Sequence, residues 1–303
     1  MRFPGRVRLV EVAPRDGLQN EPAEVSTSDK IRFVDLLSDA GMPSIEVSAF
    51  VSPKWVPRMA DAGEVFAGIK RRGGTRYTAL VPNLLGLERA RAAGVTEIAI
   101  FAASSETFSR KNINQTIDES LATYRDVGAA ARDAGLRLRG YLSTSFGCPY
   151  EGPVPPSRVA ELAGRLIELG AFEVAVSDTI GVATPGQVIE VVEEVARHAP
   201  LPQIALHFHD TRGTALANVL MALQLGVTTF DASAGGLGGC PYAPGASGNL
   251  ATEDLVYMLD SFGIETGVSL QRLVEASRFI ESKLGHPLPS RYLQAARAVG
   301  SRR

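Results

Sequence analysis

The sequence predicts an α/β protein folded as a (β/α)8 TIM barrel with an extra C-terminal helix. Short apolar runs rich in β-branched residues alternate with longer segments of helical periodicity, and eight such runs occur along the chain. Uninterrupted alternation of this kind favours a parallel sheet, and eight βα units are the number that closes into a barrel. A doubly wound open sheet is the alternative architecture.

The eight predicted strands follow one another at the spacing of βα units. They cover residues 7–12, 44–50, 76–81, 97–102, 137–143, 172–177, 203–208 and 228–232. Six of the segments between them have the periodicity of amphipathic helices: residues 28–40, 84–93, 117–134, 157–169, 186–198 and 214–225. Five of these six are followed directly by a glycine suited to end a helix.

The extra helix is predicted at residues 270–284, after the eighth βα unit. No Pro- or Ser-rich linker, low-complexity tract or charge block divides the chain. We therefore expect one catalytic domain over residues 1–303, with residues 264–303 as a C-terminal helical extension that packs over the barrel or on a partner subunit.

Composition and charge exclude several classes of protein. The 303 residues are 45% hydrophobic, and 31 Lys plus Arg stand against 33 Asp plus Glu, which leaves a net charge of −2. A chain without a basic field is not built mainly to bind nucleic acid, and its apolar runs are far shorter than the roughly 18–20 residues of a membrane span. Two cysteines, Cys148 and Cys240, indicate a reducing compartment, so we expect a cytoplasmic protein.

Barrel enzymes carry their reacting groups where strands end and βα loops begin. At the first such position, a dense polar cluster that includes Arg15 and Asp16 follows the apolar run 7–12. One interpretation is a metal-binding carboxylate beside a cation for an anionic substrate group. The alternative is an ordinary turn in which Asp16 and Gly17 supply the geometry and Arg15 is solvated.

The seventh strand ends in His207 and His209, separated by Phe208. Residues i and i+2 of a strand point to the same face, so both imidazoles project together. A lone histidine at such a place is more often a core residue, but a pair at a barrel rim favours a metal site. The remaining two histidines, His198 and His286, are interpreted as structural.

The glycine-rich segment 235–249 follows the eighth strand and contains Cys240. Its six glycines exclude helix and strand and predict a loop that closes over the barrel mouth. A solvated linker is the alternative, but an oxidisable thiol is an unusual residue for an exposed tip without a use. Cys148, beyond the fifth strand, is assigned a buried packing role.

The second and sixth strands supply further polar residues. Alternation places Glu46 and Ser48 in the barrel interior, where Glu46 needs a partner, and Arg15 on the neighbouring strand is the obvious one. Direct metal ligation by Glu46 is the alternative. Asp178, at the end of the sixth strand, is interpreted as a carboxylate that orients a ligand histidine.

Several of these motifs together resemble hydroxymethylglutaryl-CoA lyases, over about residues 5–290. The matching stretches are residues 10–21, 45–59, 111–114, 148–152, 178–186, 207–210 and 236–259. The resemblance implies a divalent cation, Mg²⁺ or Mn²⁺, held by Asp16, His207, His209 and Asn249. It also implies Arg15 at the substrate carbonyls, Glu46 beside it and Cys240 as a functional thiol.

The implied reaction is the cleavage of an acyl-CoA substrate, 3-hydroxy-3-methylglutaryl-CoA, to acetoacetate and acetyl-CoA, a step of leucine degradation. Either Cys240 or a metal-linked histidine such as His207 serves as acid or base. The alternatives are a lyase for related 3-hydroxy-3-alkylglutaryl-CoA thioesters and a synthase that condenses an acyl-CoA with a 2-oxo acid. The synthase is disfavoured because its Gly-Glu-Arg loop motif is missing from residues 235–249. The extra C-terminal helix leads us to expect a homodimer or a higher homo-oligomer.

Overall fold

The computed structural model describes residues 3–239 and 248–300. Eight parallel strands close into a barrel in chain order, which confirms the predicted fold and excludes the open sheet. The strands are β1 (Arg8–Glu11), β2 (Ser44–Ala49), β3 (Arg76–Leu80), β4 (Glu97–Ala103), β5 (Arg137–Ser143), β6 (Ala171–Asp178), β7 (Ile204–Phe208) and β8 (Thr229–Ala232). Pairing of β1 with β8, from Arg8 opposite Thr229 to Glu11 opposite Ala232, closes the barrel.

Helices follow the strands and pack their apolar faces on the outside of the barrel. The six predicted ones are α1 (Thr27–Asp39), α3 (Leu84–Ala92), α5 (Ile117–Asp133), α6 (Pro156–Glu168), α7 (Pro185–Val195) and α8 (Ala215–Gln224). Side-chain caps fix several of their starts: the Ser26 hydroxyl accepts the amide of Asp29, and Thr116 and Glu119 form a capping box.

Within the described parts of the βα units, three helices were not predicted: α2 (Ala62–Gly68), α4 (Glu106–Ile113) and α9 (Thr252–Ser261). The α2 and α4 helices span only seven and eight residues, which leaves few turns in which an apolar face can repeat. Gly63 and Gly68 weaken the helical pattern of α2 further.

The C-terminal extension holds two helices where the sequence predicted one. These are α10 (Leu270–Leu284), which ends at Gly285 with a φ of +74°, and α11 (Arg291–Gly300). The α10 helix packs against α1 and α9, and α11 packs against α9. The carboxylate of Asp254 accepts the Ser290 hydroxyl and the Arg291 and Tyr292 amides, which joins the start of α11 to α9. Among the described residues, no helix has the length and apolar composition needed to cross a bilayer.

Two different environments lie on the two sides of the strands. The main apolar core fills the space between strands and helices. A small cluster inside the barrel combines Ala99, Ala175 and Ala205 with Tyr141. The small alanines leave room for the Arg139 guanidinium, which lies 4.8 Å from the centroid of the Tyr141 ring. The barrel interior is therefore built to hold charged side chains.

Candidate active site at the carboxyl ends of the strands

The chain leaves β1 in a single π-helical turn, Ala13–Gly17, that carries Arg15 and Asp16. The amides of Arg15, Asp16 and Gly17 all donate to the Val12 carbonyl, at 3.2, 2.8 and 3.2 Å. A Cβ at Gly17 would lie 2.9 Å from the Leu237 side chain, so the turn packs closely on the segment after β8. Isolated π-helical turns occur frequently at functional sites.

Asp16, His207 and His209 each place one potential ligand atom within 4.8 Å of the other two. The two imidazoles are buried side by side, with ring centroids 5.3 Å apart. The backbone of His209 bridges to Asn249, which brings the segment after the glycine-rich loop to the end of β7. Three groups far apart in the sequence therefore converge at one edge of the barrel mouth.

Asn249 completes this cluster through its side chain. Its Nδ2 donates to Asp16 Oδ2 at 2.8 Å and to the Leu237 carbonyl at 2.9 Å. Its Oδ1 and the Nδ1 of His209 are buried and have no hydrogen-bond partner within the described residues. Buried acceptors in native proteins are nearly always satisfied. Unpaired oxygen and nitrogen atoms beside a carboxylate are the donor set that fits a divalent cation.

The electrostatics of the cluster agree with that fit. Burial acts to raise the pKa of Asp16, but the Arg15 guanidinium and the two imidazoles outweigh it and hold the pKa well below its usual range. Burial, followed by the neighbouring His207, lowers the pKa of His209 to about 4. An ionised carboxylate and a neutral imidazole are the forms that bind a metal.

Arg15 is held on two sides. Its Nε donates to Glu46 Oε2 at 2.8 Å, and its Nη1 donates to Asp16 Oδ1 at 2.7 Å. The Tyr141 hydroxyl donates to the same Glu46 oxygen at 3.1 Å, while Glu46 Oε1 is buried without a partner in the described chain. Glu46 is therefore the partner of Arg15, as the sequence predicts, and it lies outside the Asp16, His207 and His209 cluster.

The partner of His207 is Asp231, which the sequence analysis missed. His207 Nδ1 lies 3.2 Å from Asp231 Oδ2, and Arg139 binds both oxygens of Asp231, at 2.6 and 3.2 Å. The Asp178 prediction was wrong, because its carboxylate accepts the backbone amides of Val182 and Ala183 instead. The available signal was an acidic residue inside the apolar run of β8.

Three other residues considered in the sequence, Ser48, Cys148 and His286, lie outside the cluster of Asp16, His207 and His209. Strict alternation fails in β2, where a register irregularity separates Glu46 from Ser48, and the Ser48 hydroxyl contacts Met59 Sδ. Cys148 is buried with its sulfur 2.9 Å from Ser105 Oγ, in agreement with a packing role. His286 is partly exposed and pairs with Glu21 at 2.8 Å.

Cys240 lies outside the described residues, as does the rest of 240–247. The flanks of this segment approach the cluster closely. At Gly238, with a φ of +105°, a Cβ would lie 2.5 Å from Asn249 Nδ2, and at Gly248 it would lie 2.4 Å from the Gly236 carbonyl oxygen. Only glycine fits at these two positions without displacing the backbone or Asn249.

Comparison with known proteins gives one consistent result. The HMGL-like family model matches residues 6–280. Hydroxymethylglutaryl-CoA lyase YngG of Bacillus subtilis is 54% identical over 97% of this chain and 98% of its own length. The crystal structure of hydroxymethylglutaryl-CoA lyase from Pseudomonas aeruginosa is 52% identical, covers 98% of this chain and 99% of that one, and superimposes with a TM-score of 0.96.

A lyase structure from Acinetobacter baumannii in complex with coenzyme A and 3-methylmalate is 41% identical, with a TM-score of 0.92 over 97% of this chain and 96% of that one.

Proposed function

The chain belongs to the HMGL-like family, and we propose that it cleaves 3-hydroxy-3-methylglutaryl-CoA to acetoacetate and acetyl-CoA with a divalent cation at the barrel mouth. The observation that carries this proposal is the likeness to hydroxymethylglutaryl-CoA lyases, at 54% identity along nearly the whole of both chains. The chain is accordingly a carbon–carbon lyase. The acyl-CoA class of substrate agrees with the coenzyme A bound in the related Acinetobacter structure.

Asp16, His207, His209 and Asn249 would hold the cation, which we propose to be Mg²⁺ or Mn²⁺. The proposal is supported by the convergence of three ligand atoms and by the unpaired Oδ1 of Asn249. When bound, such a cation acts as a Lewis acid that lowers the pKa of the tertiary hydroxyl of the substrate and fixes its position. Asp231 would keep Nδ1 of His207 engaged, so that Nε2 is the nitrogen available for ligation.

Arg15 would stabilise the charge that develops when the carbon–carbon bond breaks. The electrons of that bond remain on the thioester side, so negative charge builds on the thioester oxygen as an enolate forms. A guanidinium already fixed by Glu46 and Asp16 need not reorganise during the reaction. One such donor typically contributes ~3 kcal/mol to the stabilisation of the transition state.

The enolate must then be reprotonated, and the choice lies between Cys240 and a histidine such as His207. Engagement of His207 Nδ1 by Asp231 favours Cys240, because a ring that also binds a cation has no free nitrogen. Alkylation in a Cys148→Ala background tests this: labelling of Cys240 should abolish activity, and substrate should slow the labelling. Full activity after complete labelling would return the role to the histidine.

The experiment for the overall reaction is a product assay. Purified protein with Mg²⁺ or Mn²⁺ should convert 3-hydroxy-3-methylglutaryl-CoA to equal amounts of acetyl-CoA and acetoacetate, and a chelator should stop the reaction. A panel of thioesters with longer 3-alkyl groups tests the related lyase activity. Release of free coenzyme A from an acyl-CoA and a 2-oxo acid, without cleavage of the first substrate, would favour the synthase instead.

We further propose that the protein acts in the cytoplasm, in leucine degradation, as a homodimer or higher homo-oligomer. The exposed aromatic side chains of Tyr257 and Phe262, on and after α9, support self-association on that side of the barrel. Light scattering of the purified protein tests the assembly, and loss of growth on leucine after gene deletion tests the pathway.

A further inference from the structure

Glu11, the last residue of β1, is a fully buried carboxyl group that the proposed mechanism does not use. We propose that Glu11 is a positioning residue that sets the distance between Asp16 and Asn249 by binding three chain segments at once. The inference rests on the proposed function for its Mn²⁺ and activity readouts, and it is independent of the proposed function for its hydrogen-exchange readout.

The three segments are bound by the two oxygens of one side chain. Oε1 accepts the Ala13 amide at 2.9 Å and the Ala234 amide at 2.8 Å. Oε2 lies 2.8 Å from the hydroxyl of Thr252. Ala13 begins the π-helical turn with Arg15 and Asp16, Ala234 begins the segment that leads to Leu237, and Thr252 begins α9 three residues after Asn249.

The same three segments meet again at the candidate metal site. Asn249 Nδ2 joins Asp16 Oδ2 to the Leu237 carbonyl, and Gly17 lies against Leu237. Glu11 thus binds each segment three residues away from Asp16, Leu237 or Asn249, and the Asn249 side chain joins Asp16 to Leu237. Removing Glu11 would leave each segment free to shift, and a displacement of about 1 Å is enough to impair a catalytic site.

The protonation state of Glu11 indicates that glutamine is the substitution that best preserves its hydrogen bonds. Burial raises the pKa of Glu11 to about 8, against the lowering effect of the Ala13 and Ala234 amides and the Thr252 hydroxyl, and Glu253 nearby raises it further. The Thr252 hydroxyl donates to Oε2 of the ionised group, whereas in the protonated form Oε1 still accepts both amides and the Oε2 hydroxyl donates to Thr252 instead. A glutamine has this same layout, with its amide nitrogen in place of the protonated oxygen.

The experiment compares Glu11→Gln, Glu11→Asp and Glu11→Ala for Mn²⁺ affinity without substrate, for kcat and KM, and for thermal unfolding. We expect Glu11→Gln to stay within about threefold of the parent in Mn²⁺ affinity. Glu11→Asp, one methylene shorter, and Glu11→Ala should lose about 10–100-fold in Mn²⁺ affinity, the usual effect of losing an outer partner of a metal site. Their kcat should fall more than their KM rises.

Leu138→Ala is the matched control, because Leu138 packs against Gly128 of α5, away from the barrel mouth. It should lower the unfolding temperature without changing Mn²⁺ affinity, which separates positioning from general destabilisation. Amide hydrogen exchange at Ala13 and Ala234, which needs neither metal nor substrate, should accelerate in Glu11→Asp and in Glu11→Ala.

Parent-like Mn²⁺ affinity and exchange in whichever of these two variants folds would overturn the proposal. A different outcome separates this proposal from the proposed function. If the parent binds Mn²⁺ but does not cleave the thioester, and Glu11→Asp or Glu11→Ala loses Mn²⁺ affinity, the proposed function is overturned and the positioning role of Glu11 stands.

Discussion

Two buried polar clusters lie inside the same barrel, and they differ in whether all of their polar atoms have hydrogen-bond partners. In the cluster formed by Arg139, Glu173 and Asp231, each carboxylate binds a guanidinium, at 2.8 Å for Glu173 and 2.6 Å for Asp231. In the cluster at the barrel mouth, His209 Nδ1 and Asn249 Oδ1 have no partner among the described residues. Unpaired buried acceptors also occur elsewhere in the described chain, for example Asn218 Oδ1, so what distinguishes the barrel mouth is that two of them lie beside the Asp16 carboxylate.

The two clusters are joined at one contact, between Asp231 and His207. The cluster of Arg139, Glu173 and Asp231, called the paired cluster below, thereby supports His207, one proposed ligand of the cluster at the barrel mouth. Substitutions at the mouth should therefore affect chemistry, those in the paired cluster should affect stability, and those at the junction should affect both.

The largest expected effect comes from removing a ligand at the mouth. His209→Ala should lower kcat by about three orders of magnitude or more, because a metal supplies several kcal/mol of charge stabilisation. It should also abolish stoichiometric Mn²⁺ binding, measured by metal analysis after dialysis. Glu173→Gln is the counterpart in the paired cluster and should lower the unfolding temperature while retaining Mn²⁺. Equal loss of metal in both variants would break the distinction between the clusters.

The next effect concerns Arg15, which touches both Asp16 and Glu46 but is not a ligand. Arg15→Gln should lower kcat by about 100- to 1000-fold and leave the Mn²⁺ content nearly unchanged, because the lost interaction is stronger in the transition state than in the ground state. Steady-state kinetics and metal analysis on one preparation check this. If the variant loses its metal, Arg15 supports the fold of the site and does not act on the substrate.

A smaller effect is expected at the junction. Asp231→Asn should weaken Mn²⁺ binding by about 10–100-fold, since outer partners of metal-binding histidines usually contribute that much. Isothermal titration with Mn²⁺ measures the change. Because Asp231 also balances the charge of Arg139, the variant should unfold at a lower temperature as well. Unchanged affinity in a folded variant would mean that the two clusters are independent.

The barrel and the main site residues were predictable because both depend on local pattern. Strand alternation determines that His207 and His209 share a face, and the end of β1 determines where Asp16 lies. The role of Asp231 was not predictable in this way, because it depends on register between strands. His207 lies level with Asp231 on β8, whereas Asp178 lies level with Phe208, one position out of phase with the histidines.

Glu11 was missed for a related reason. It is one of two charged residues, with Arg8, in the run 7–12, and its three partners are 2, 223 and 241 positions away along the chain. No periodicity links such distant segments. The short helix α11 likewise depends on a tertiary contact, since Asp254 of α9 binds the backbone amides at its start.

The smallest expected effect is a pH dependence that separates Asp231, a buried carboxyl group with a guanidinium partner, from Glu253, a buried carboxyl group held by neutral donors. Burial raises the pKa of Glu253 to about 7, despite bonds from Ser277 and Gly235 that lower it, and the adjacent Asp254 raises it further. A raised pKa in the folded state means that its stabilising contribution is complete below about pH 4.5 and is lost as pH rises through 7. For Asp231, burial acts upward, but Arg139 and His207 lower the pKa, so its contribution is lost only in acid. Calorimetry from pH 5 to 8 should therefore show a shallower decline in unfolding temperature for Glu253→Gln than for the parent, and parallel curves would contradict this assignment.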